Sequence, residues 1–102
     1  MGYVKHKFNA KPTTVNNIRF ASKKEAAYYQ HLIKEVEKGS IIFFLRQVPI
    51  HLGDNVKYVV DFLEFHSDNT VHFRETKGLK TPLYITKKKL VEEKYPITIE
   101  EV

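Results

Sequence analysis

Two stretches of the chain decide the fold: residues 58–63 (YVVDFL) and residues 71–77 (VHFRETK). Each contains β-branched and aromatic residues, which favour strands. Between them lies segment 67–70 (SDNT), whose Ser, Asp and Asn side chains are typical of turns. The sequence therefore predicts an antiparallel hairpin.

The register of this hairpin determines where its charged residues lie. Side chains alternate between the two faces of a strand, so Asp61 shares a face with Leu63, and Glu75 shares a face with Phe73 and Lys77. If Asp61 lies opposite Glu75, then Leu63 lies opposite Phe73. All three charged groups then emerge on the same side, whereas a slip of one residue would send the two carboxylates to opposite faces.

An Asp on one strand and a Glu-x-Lys on the next are suited to holding a divalent metal against a phosphodiester. Mg²⁺ prefers hard oxygen ligands and keeps several waters, so Asp61 and Glu75 suffice for much of its shell. Lys77 would orient or deprotonate the attacking water and offset charge in the transition state. The alternative is a pair of surface carboxylates beside a lysine, in a chain that is 28% charged. The apolar faces that these groups interrupt favour the catalytic interpretation.

Length and composition predict one domain over residues 1–102. Hydrophobic residues make up 42% of the chain and aromatic residues 13%, which argues against disorder. The longest apolar run, residues 41–45, is too short to span a bilayer, and the polar N-terminus does not resemble a signal peptide. The absence of cysteine excludes disulfides and thiolate metal sites. We expect a cytoplasmic protein with no membrane association.

The charge balance predicts a polyanionic partner, since 17 Lys and Arg against 12 Asp and Glu give a net charge of +5. If several basic residues contact phosphates, binding should weaken steeply with salt. The basic residues expected to contact the polyanion are Lys23, Lys24, Arg46, Lys80, Lys87 and Lys88. The alternative for the run 87–89 is a solvated helix face. The basic arm at residues 1–12 either follows the DNA backbone or is disordered.

The first half of the chain predicts a small hairpin, a helix and a long strand. Residues 13–20 form the hairpin around Asn16 and Asn17, which tolerate positive φ. Ser22 and Glu25 have the spacing of a capping box, and Gly39 suits the helix end. The helix would bury Ala26, Tyr29, Leu32, Ile33 and Val36. The strand covers residues 41–52, with a proline that indicates an edge position or a bulge.

The second half of the chain continues with the two hairpin strands, a helix and a last strand. Thr81 suits the helix N-cap, and the helix runs from Pro82 to about Lys94. It would bury Leu83, Leu90 and Val91. Residues 97–99 alternate as a strand. The fold class is therefore α/β (α+β), in the order α-β-β-β-α-β after the short hairpin, with a mixed central sheet flanked by helices.

Four motifs, each on the expected element, carry a family resemblance. They are residues 20–26 (FASKKEA), 45–50 (LRQVPI), 60–62 (VDF) and 75–78 (ETKG). In this order they resemble the PD-(D/E)XK nuclease superfamily with its restriction-endonuclease-like fold, and within it the small phage-type nucleases related to Holliday-junction resolvases. The similarity covers residues 18–96. One departure is Val60, which stands where the nominal signature of the family has proline.

The resemblance implies a Mg²⁺-dependent DNA endonuclease, with Mn²⁺ able to substitute, that acts on branched DNA in a bacterial host cell. It implies that Asp61, Glu75 and Lys77 are catalytic and that Glu25 and Gln47 join them. The metal would be held by Asp61, Glu75, Glu25 and the Thr76 carbonyl. Glu25 is alternatively a capping residue that reaches the Ser22 amide, and Gln47 an ordinary strand residue.

Two symmetric nicks in a four-way junction would require a homodimer, paired through the second helix or through residues 41–45. Two other functions remain open from the sequence. One is a nicking or linear-duplex endonuclease of the same fold, because the fold does not encode substrate shape. The other is a noncatalytic nucleic-acid-binding domain, against which the intact Asp61, Glu75 and Lys77 argue.

Overall fold

A computed structural model describes residues 12–102 of the chain. Its elements are β1 (Thr13–Val15), β2 (Ile18–Phe20), α1 (Lys23–Lys38), β3 (Ile41–Gly53), β4 (Val56–His66), β5 (Val71–Glu75), α2 (Pro82–Lys94) and β6 (Ile99–Glu101). The predicted α+β class and the order of elements are confirmed. The predicted basic arm lies outside the described residues, apart from its last residue.

The central sheet has the order β3-β4-β5-β6, in which β6 runs parallel to β5 and the other pairs are antiparallel. The predicted register of the β4–β5 hairpin is confirmed, because Leu63 lies opposite Phe73. Pro49 lies on β3, which is an edge strand, as its proline predicts. The sheet is therefore mixed, as expected.

Helix α1 begins and ends where the sequence predicts. The Ser22 hydroxyl accepts a hydrogen bond from the Glu25 backbone N–H (3.1 Å), and Gly39 closes the helix in the left-handed conformation, with φ 90°. The helix packs into a first hydrophobic cluster, which contains Phe20, Ala26, Tyr29, Leu32, Ile41 and Phe62. This packing fixes the first turn of α1, which carries Glu25, against the sheet.

Helix α2 has the predicted bounds, but the prediction of its buried residues was largely wrong. Val91 is buried, whereas Leu83 is 64% exposed and Leu90 44% exposed. Tyr84 is buried instead. Leu83 and Leu90 are seven residues apart, and so are Tyr84 and Val91. Each pair therefore forms a stripe along the helix, and the two stripes are rotated by about 100° from each other around the helix axis. The spacing alone does not decide which stripe faces the sheet.

The last strand begins two residues later than predicted. The Ile97 N–H donates to the Tyr95 carbonyl at 2.8 Å, which keeps residues 95–97 in a tight turn. The Ile99 N–H donates a hydrogen bond to the Glu92 carboxylate at 2.8 Å, and pairing with β5 starts at Ile99.

Two hydrophobic clusters meet along the β3–β4 pair. Phe62 belongs to the first cluster, under α1, and Phe44 packs against it. Val48 and Val60 pack in the second cluster, which contains Tyr58, Val60, Tyr84, Val91 and Ile99. The change from one cluster to the other occurs at Gln47, which has φ 52°, and at Asp61 beside it. Gln47 and Asp61, both predicted to be functional, therefore lie at the junction of the two clusters.

Among the helices of residues 12–102, none has the length and apolar character needed to cross a membrane.

Candidate active site

The end of β5 brings Glu75 and Lys77 to Asp61 on β4. The Asp61 backbone N–H donates to Glu75 Oε1 at 3.4 Å, and Lys77 Nζ lies 3.6 Å from Glu75 Oε2. Glu75 is 1% exposed, whereas the Lys77 side chain is 39% exposed. The three residues that the sequence singled out are thus adjacent, with the lysine on the solvent side of the carboxylate.

Thr76 and Gln47 hold the Asp61 carboxylate from two sides. The Thr76 backbone N–H and hydroxyl both donate to Asp61 Oδ2, at 2.9 and 2.8 Å. Gln47 Nε2 donates to the other oxygen, Oδ1, at 3.3 Å. The family resemblance implied a role for Thr76 through its backbone carbonyl alone. The Thr76 amide and hydroxyl also act on the site, because both groups orient the Asp61 carboxylate.

Glu25 joins this group through Gln47. Its Oε2 accepts a hydrogen bond from Gln47 Nε2 at 2.8 Å and lies 3.9 Å from a guanidinium nitrogen of Arg46. The backbone amide of Ala21, just before the N-cap, also stabilises the carboxylate. The carboxylate therefore contacts the amide of Ala21, one residue before the Ser22 amide that the capping alternative names, and contacts the site through Gln47. The Gln47 amide links Glu25 to Asp61.

Burial and mutual repulsion perturb the acidity of the two buried carboxyl groups. Desolvation, then the Asp61 charge, raise the pKa of Glu75 to about 7, although the Tyr58 hydrogen bond and Lys77 oppose them. Desolvation and the Asp61 charge also raise the pKa of Glu25, while Arg46 lowers it. Both carboxyl groups therefore hold a proton more tightly than an exposed glutamate does. A bound cation would favour the charged forms.

The donor set suits a hard divalent cation. Asp61 and Glu75 supply carboxylate oxygens, and one oxygen of each faces an exposed or partly exposed side chain, Gln47 for Asp61 and Lys77 for Glu75. Mg²⁺ needs only one or two protein carboxylates, since it retains several waters. Within residues 12–102 no three His, Asp or Glu side chains are already gathered as a metal site. The hard oxygen atoms of these two carboxylates are compatible with Mg²⁺ or Mn²⁺, which complete their shells with water.

The six basic residues predicted to contact DNA occupy different settings. Lys23 and Lys24 are exposed in the first turn of α1. Arg46 is 25% exposed and lies over the Phe20 ring beside Glu25, so it belongs to the site rather than to the open surface.

The three lysines of the second half of the chain have contacts of their own. Lys80 pairs with Glu101 at 2.9 Å, Lys88 lies 4.0 Å from Glu92, and Lys87 donates to a backbone carbonyl at 3.2 Å. Partly exposed ion pairs of this kind contribute about 0–1 kcal/mol, so these lysines remain available to a phosphate.

Sequence reasoning missed two tyrosines next to the site. The Tyr58 hydroxyl donates to Glu75 Oε1 at 2.8 Å, and the Lys77 ammonium lies 5.1 Å from the centre of the Tyr84 ring. Tyr84 itself donates to Glu101 at 2.7 Å. For Tyr58 the available signal was chemical, because a tyrosine in a buried strand needs a partner for its hydroxyl and the nearest acceptors in this hairpin are carboxylates.

The comparison with curated proteins gave no match, and the comparison with solved structures gave none either. A family model does match, over residues 5–100, nearly the whole chain. Its description is "Protein of unknown function (DUF1064)". The chain therefore belongs to the DUF1064 family.

Proposed function

We propose that this protein is a Mg²⁺-dependent DNA endonuclease that hydrolyses phosphodiester bonds, with a preference for branched DNA. The observation that carries the proposal is the meeting of Asp61, Glu75 and Lys77 at one point of the sheet. A buried carboxylate beside a second carboxylate and an amine costs stability, since desolvation disfavours its charge. Such an arrangement is typical of catalytic sites.

Each residue has a definite task in this proposal. Asp61 and Glu75 hold the cation, together with the Thr76 carbonyl, and Glu25 completes the acidic group from α1. The cation, when bound, neutralises charge on the phosphate and stabilises the leaving oxygen. Lys77, the more exposed member, orients the attacking water or takes its proton. Gln47 lies between two carboxylates and is within reach of a phosphate oxygen or water beside them.

Charge supports DNA as the substrate. The chain has a net charge of +5, to which Lys23 and Lys24 on α1, Lys80 just before α2, and Lys87 and Lys88 on α2 contribute. Contacts between lysines and phosphates position a duplex without reading its sequence. Binding should therefore lose affinity with salt, with a log-log slope of about −0.9 for each phosphate neutralised.

The preference for branched DNA requires two copies of the chain, because a four-way junction is resolved by two symmetric nicks. Two exposed apolar surfaces support self-association. On the sheet, Phe43 and Leu45 are 47% and 45% exposed, and Phe43 stacks on Phe65 with ring centres 4.4 Å apart. On α2, the exposed apolar residues are Leu83, Ile85 and Leu90. Light scattering of the wild type, Leu45→Lys and Leu83→Lys would show which surface pairs; a monomeric wild type would contradict the homodimer.

The decisive experiment offers labelled four-way junction, flap and linear duplex to the protein, with Mg²⁺ or with EDTA. Asp61→Asn is the test variant. Asp54→Asn is its matched control, because Asp54 is exposed in the β3–β4 turn, where its positive φ suits Asn equally. We expect cleavage with Mg²⁺ by the wild type and by the control, and DNA binding without cleavage by Asp61→Asn.

Other outcomes would select the other functions. Equal cleavage of junction and linear duplex would leave a nicking or duplex endonuclease. DNA binding without metal-dependent cleavage of any substrate would leave a noncatalytic binding domain.

A further inference from the structure

Tyr58 is a buried polar neighbour of the candidate site. It is 5% exposed, and its hydroxyl donates to Glu75 Oε1 at 2.8 Å. Its ring is held in the second hydrophobic cluster, with its centre 6.2 Å from that of Tyr84. The hydroxyl therefore projects from a packed wall toward one oxygen of one carboxylate.

The two oxygens of Glu75 have different surroundings. Oε1 accepts the Tyr58 hydroxyl and, at 3.4 Å, the Asp61 backbone N–H. Oε2 is turned toward the partly exposed Lys77, 3.6 Å away. Two donors fixed in the sheet thus engage the inner oxygen, while the outer oxygen faces the one partly exposed side chain of this set.

We propose that Tyr58 is a positioning residue, which locks Glu75 through Oε1 so that Oε2 alone is presented to a divalent cation. This inference rests on the proposed function, since it assigns the cation to the same site. Outer partners of this kind fix the rotamer of a metal ligand, and their loss typically costs about 10–100-fold in metal affinity or activity.

The test variant is Tyr58→Phe, which removes the hydroxyl and leaves the ring in the cluster. The chain offers a matched control in Tyr28→Phe. Tyr28, on α1, donates to Glu64 on β4, another carboxylate that is 1% exposed, at 2.6 Å, and this pair lies outside the candidate site. Each variant deletes one hydrogen bond from a tyrosine to a buried glutamate, so the two should lose similar stability.

The measurement is Mn²⁺ binding to the full chain, followed by the loss of the free Mn²⁺ signal in electron paramagnetic resonance. Cleavage of the four-way junction is measured alongside as a function of Mg²⁺ concentration. We expect Tyr58→Phe to weaken Mn²⁺ binding and to raise the half-activating Mg²⁺ concentration by about 10-fold or more. Saturating Mg²⁺ should restore most of its rate. Tyr28→Phe should match the wild type in both assays.

A double variant separates positioning from a general structural role. If Tyr58 acts through Glu75, adding Tyr58→Phe to Glu75→Gln should weaken Mn²⁺ binding no further, because the residue it positions has lost its charge. Additive losses would overturn the inference. So would a Tyr58→Phe variant that binds Mn²⁺ within twofold of an active wild type, or one that fails to fold while Tyr28→Phe folds. A wild type that neither binds Mn²⁺ nor cleaves would overturn the proposed function itself.

Discussion

Asp61 and Thr76 are joined by two hydrogen bonds to the same oxygen: the Thr76 backbone N–H and hydroxyl donate to Asp61 Oδ2 at 2.9 and 2.8 Å. The preceding residue, Glu75, in turn accepts the Asp61 backbone N–H at 3.4 Å. Regular pairing of β4 with β5 extends only to Phe62 and Arg74. Beyond that point, side chains replace the backbone ladder, and each strand orients the carboxylate of the other.

Removing the Thr76 hydroxyl should loosen Asp61 without changing the shape of the residue. Thr76→Val keeps the branched side chain and the backbone amide but deletes one donor to the Asp61 carboxylate. Because hydrogen bonds to charged groups contribute about 1.5–3 kcal/mol, we expect a loss of that order in the free energy of unfolding, measured by urea denaturation. Cleavage should slow as well.

Thr76→Ser is the control, since it retains the hydroxyl and should recover most of the stability and the rate. Equal behaviour of the Val and Ser variants would mean that the backbone N–H alone holds Asp61.

Replacing the Glu75 charge should stabilise the protein at high pH and abolish its activity. The pKa of Glu75 is raised from 4.5 to about 7, so the folded state binds a proton more tightly than the unfolded state. The stability contribution of this group is therefore fully present below about pH 4.5 and is lost as the pH rises through about 7. Glu75→Gln imitates the protonated form at every pH.

We expect Glu75→Gln to exceed the wild type by roughly 1–3 kcal/mol at pH 8, and to differ little at pH 4.5. Thermal denaturation at the two pH values without metal measures this difference. A variant less stable than the wild type at pH 8 would show that the charged carboxylate contributes more through Tyr58 and Lys77 than its burial costs.

The raised pKa of Glu75 also predicts that the cleavage rate falls at acid pH. At low Mg²⁺ the rate should rise with pH through about 7, because the cation needs the deprotonated Glu75. Higher Mg²⁺ should shift this limb to lower pH, since the cation competes with the proton for the carboxylate. Rate profiles at two Mg²⁺ concentrations test the shift. A limb that does not move would place the controlling proton on a group that does not bind the cation.

The sequence was sufficient to predict the β4–β5 register, because alternation and a short turn leave few ways to pair two apolar strands. It also placed Asp61, Glu75 and Lys77 together. It failed at α2, where the stripe through Leu83 and the stripe through Tyr84 have equal spacing. The choice between them depends on the shape of the sheet surface. The role of the Thr76 hydroxyl depends on where the ladder ends, which is likewise a tertiary property.

Glu25 can be separated from its helix cap by two single variants. The cap bond joins the Ser22 hydroxyl to the Glu25 backbone N–H, so it does not depend on the Glu25 side chain. Ser22→Ala should cost about 1 kcal/mol of stability, seen in urea denaturation, with cleavage nearly unchanged.

Glu25→Gln should retain the cap, because the change leaves that backbone N–H in place, and lower the cleavage rate by about 10-fold or more if the carboxylate serves the metal or its ligands. Full activity of Glu25→Gln would instead assign the carboxylate to its contacts with Ala21 and Arg46 alone.

Gln47 combines a strained backbone with a functional side chain, and two substitutions separate them. Its φ of 52° lies in the left-handed region, which costs a residue with a side chain about 1–2 kcal/mol. Gln47→Ala and Gln47→Gly both remove the amide that links Glu25 to Asp61, but only glycine relieves the strain. We expect the Gly variant to be the more stable by about 1 kcal/mol in urea denaturation. Both variants should lose cleavage to the same extent.

Lys57 is the control position, because it is exposed on β4 and has no positive φ. There the order of stability should reverse, with the Ala variant more stable than the Gly variant. The same order at both positions would mean that the strand around Gln47 relaxes once its amide is gone.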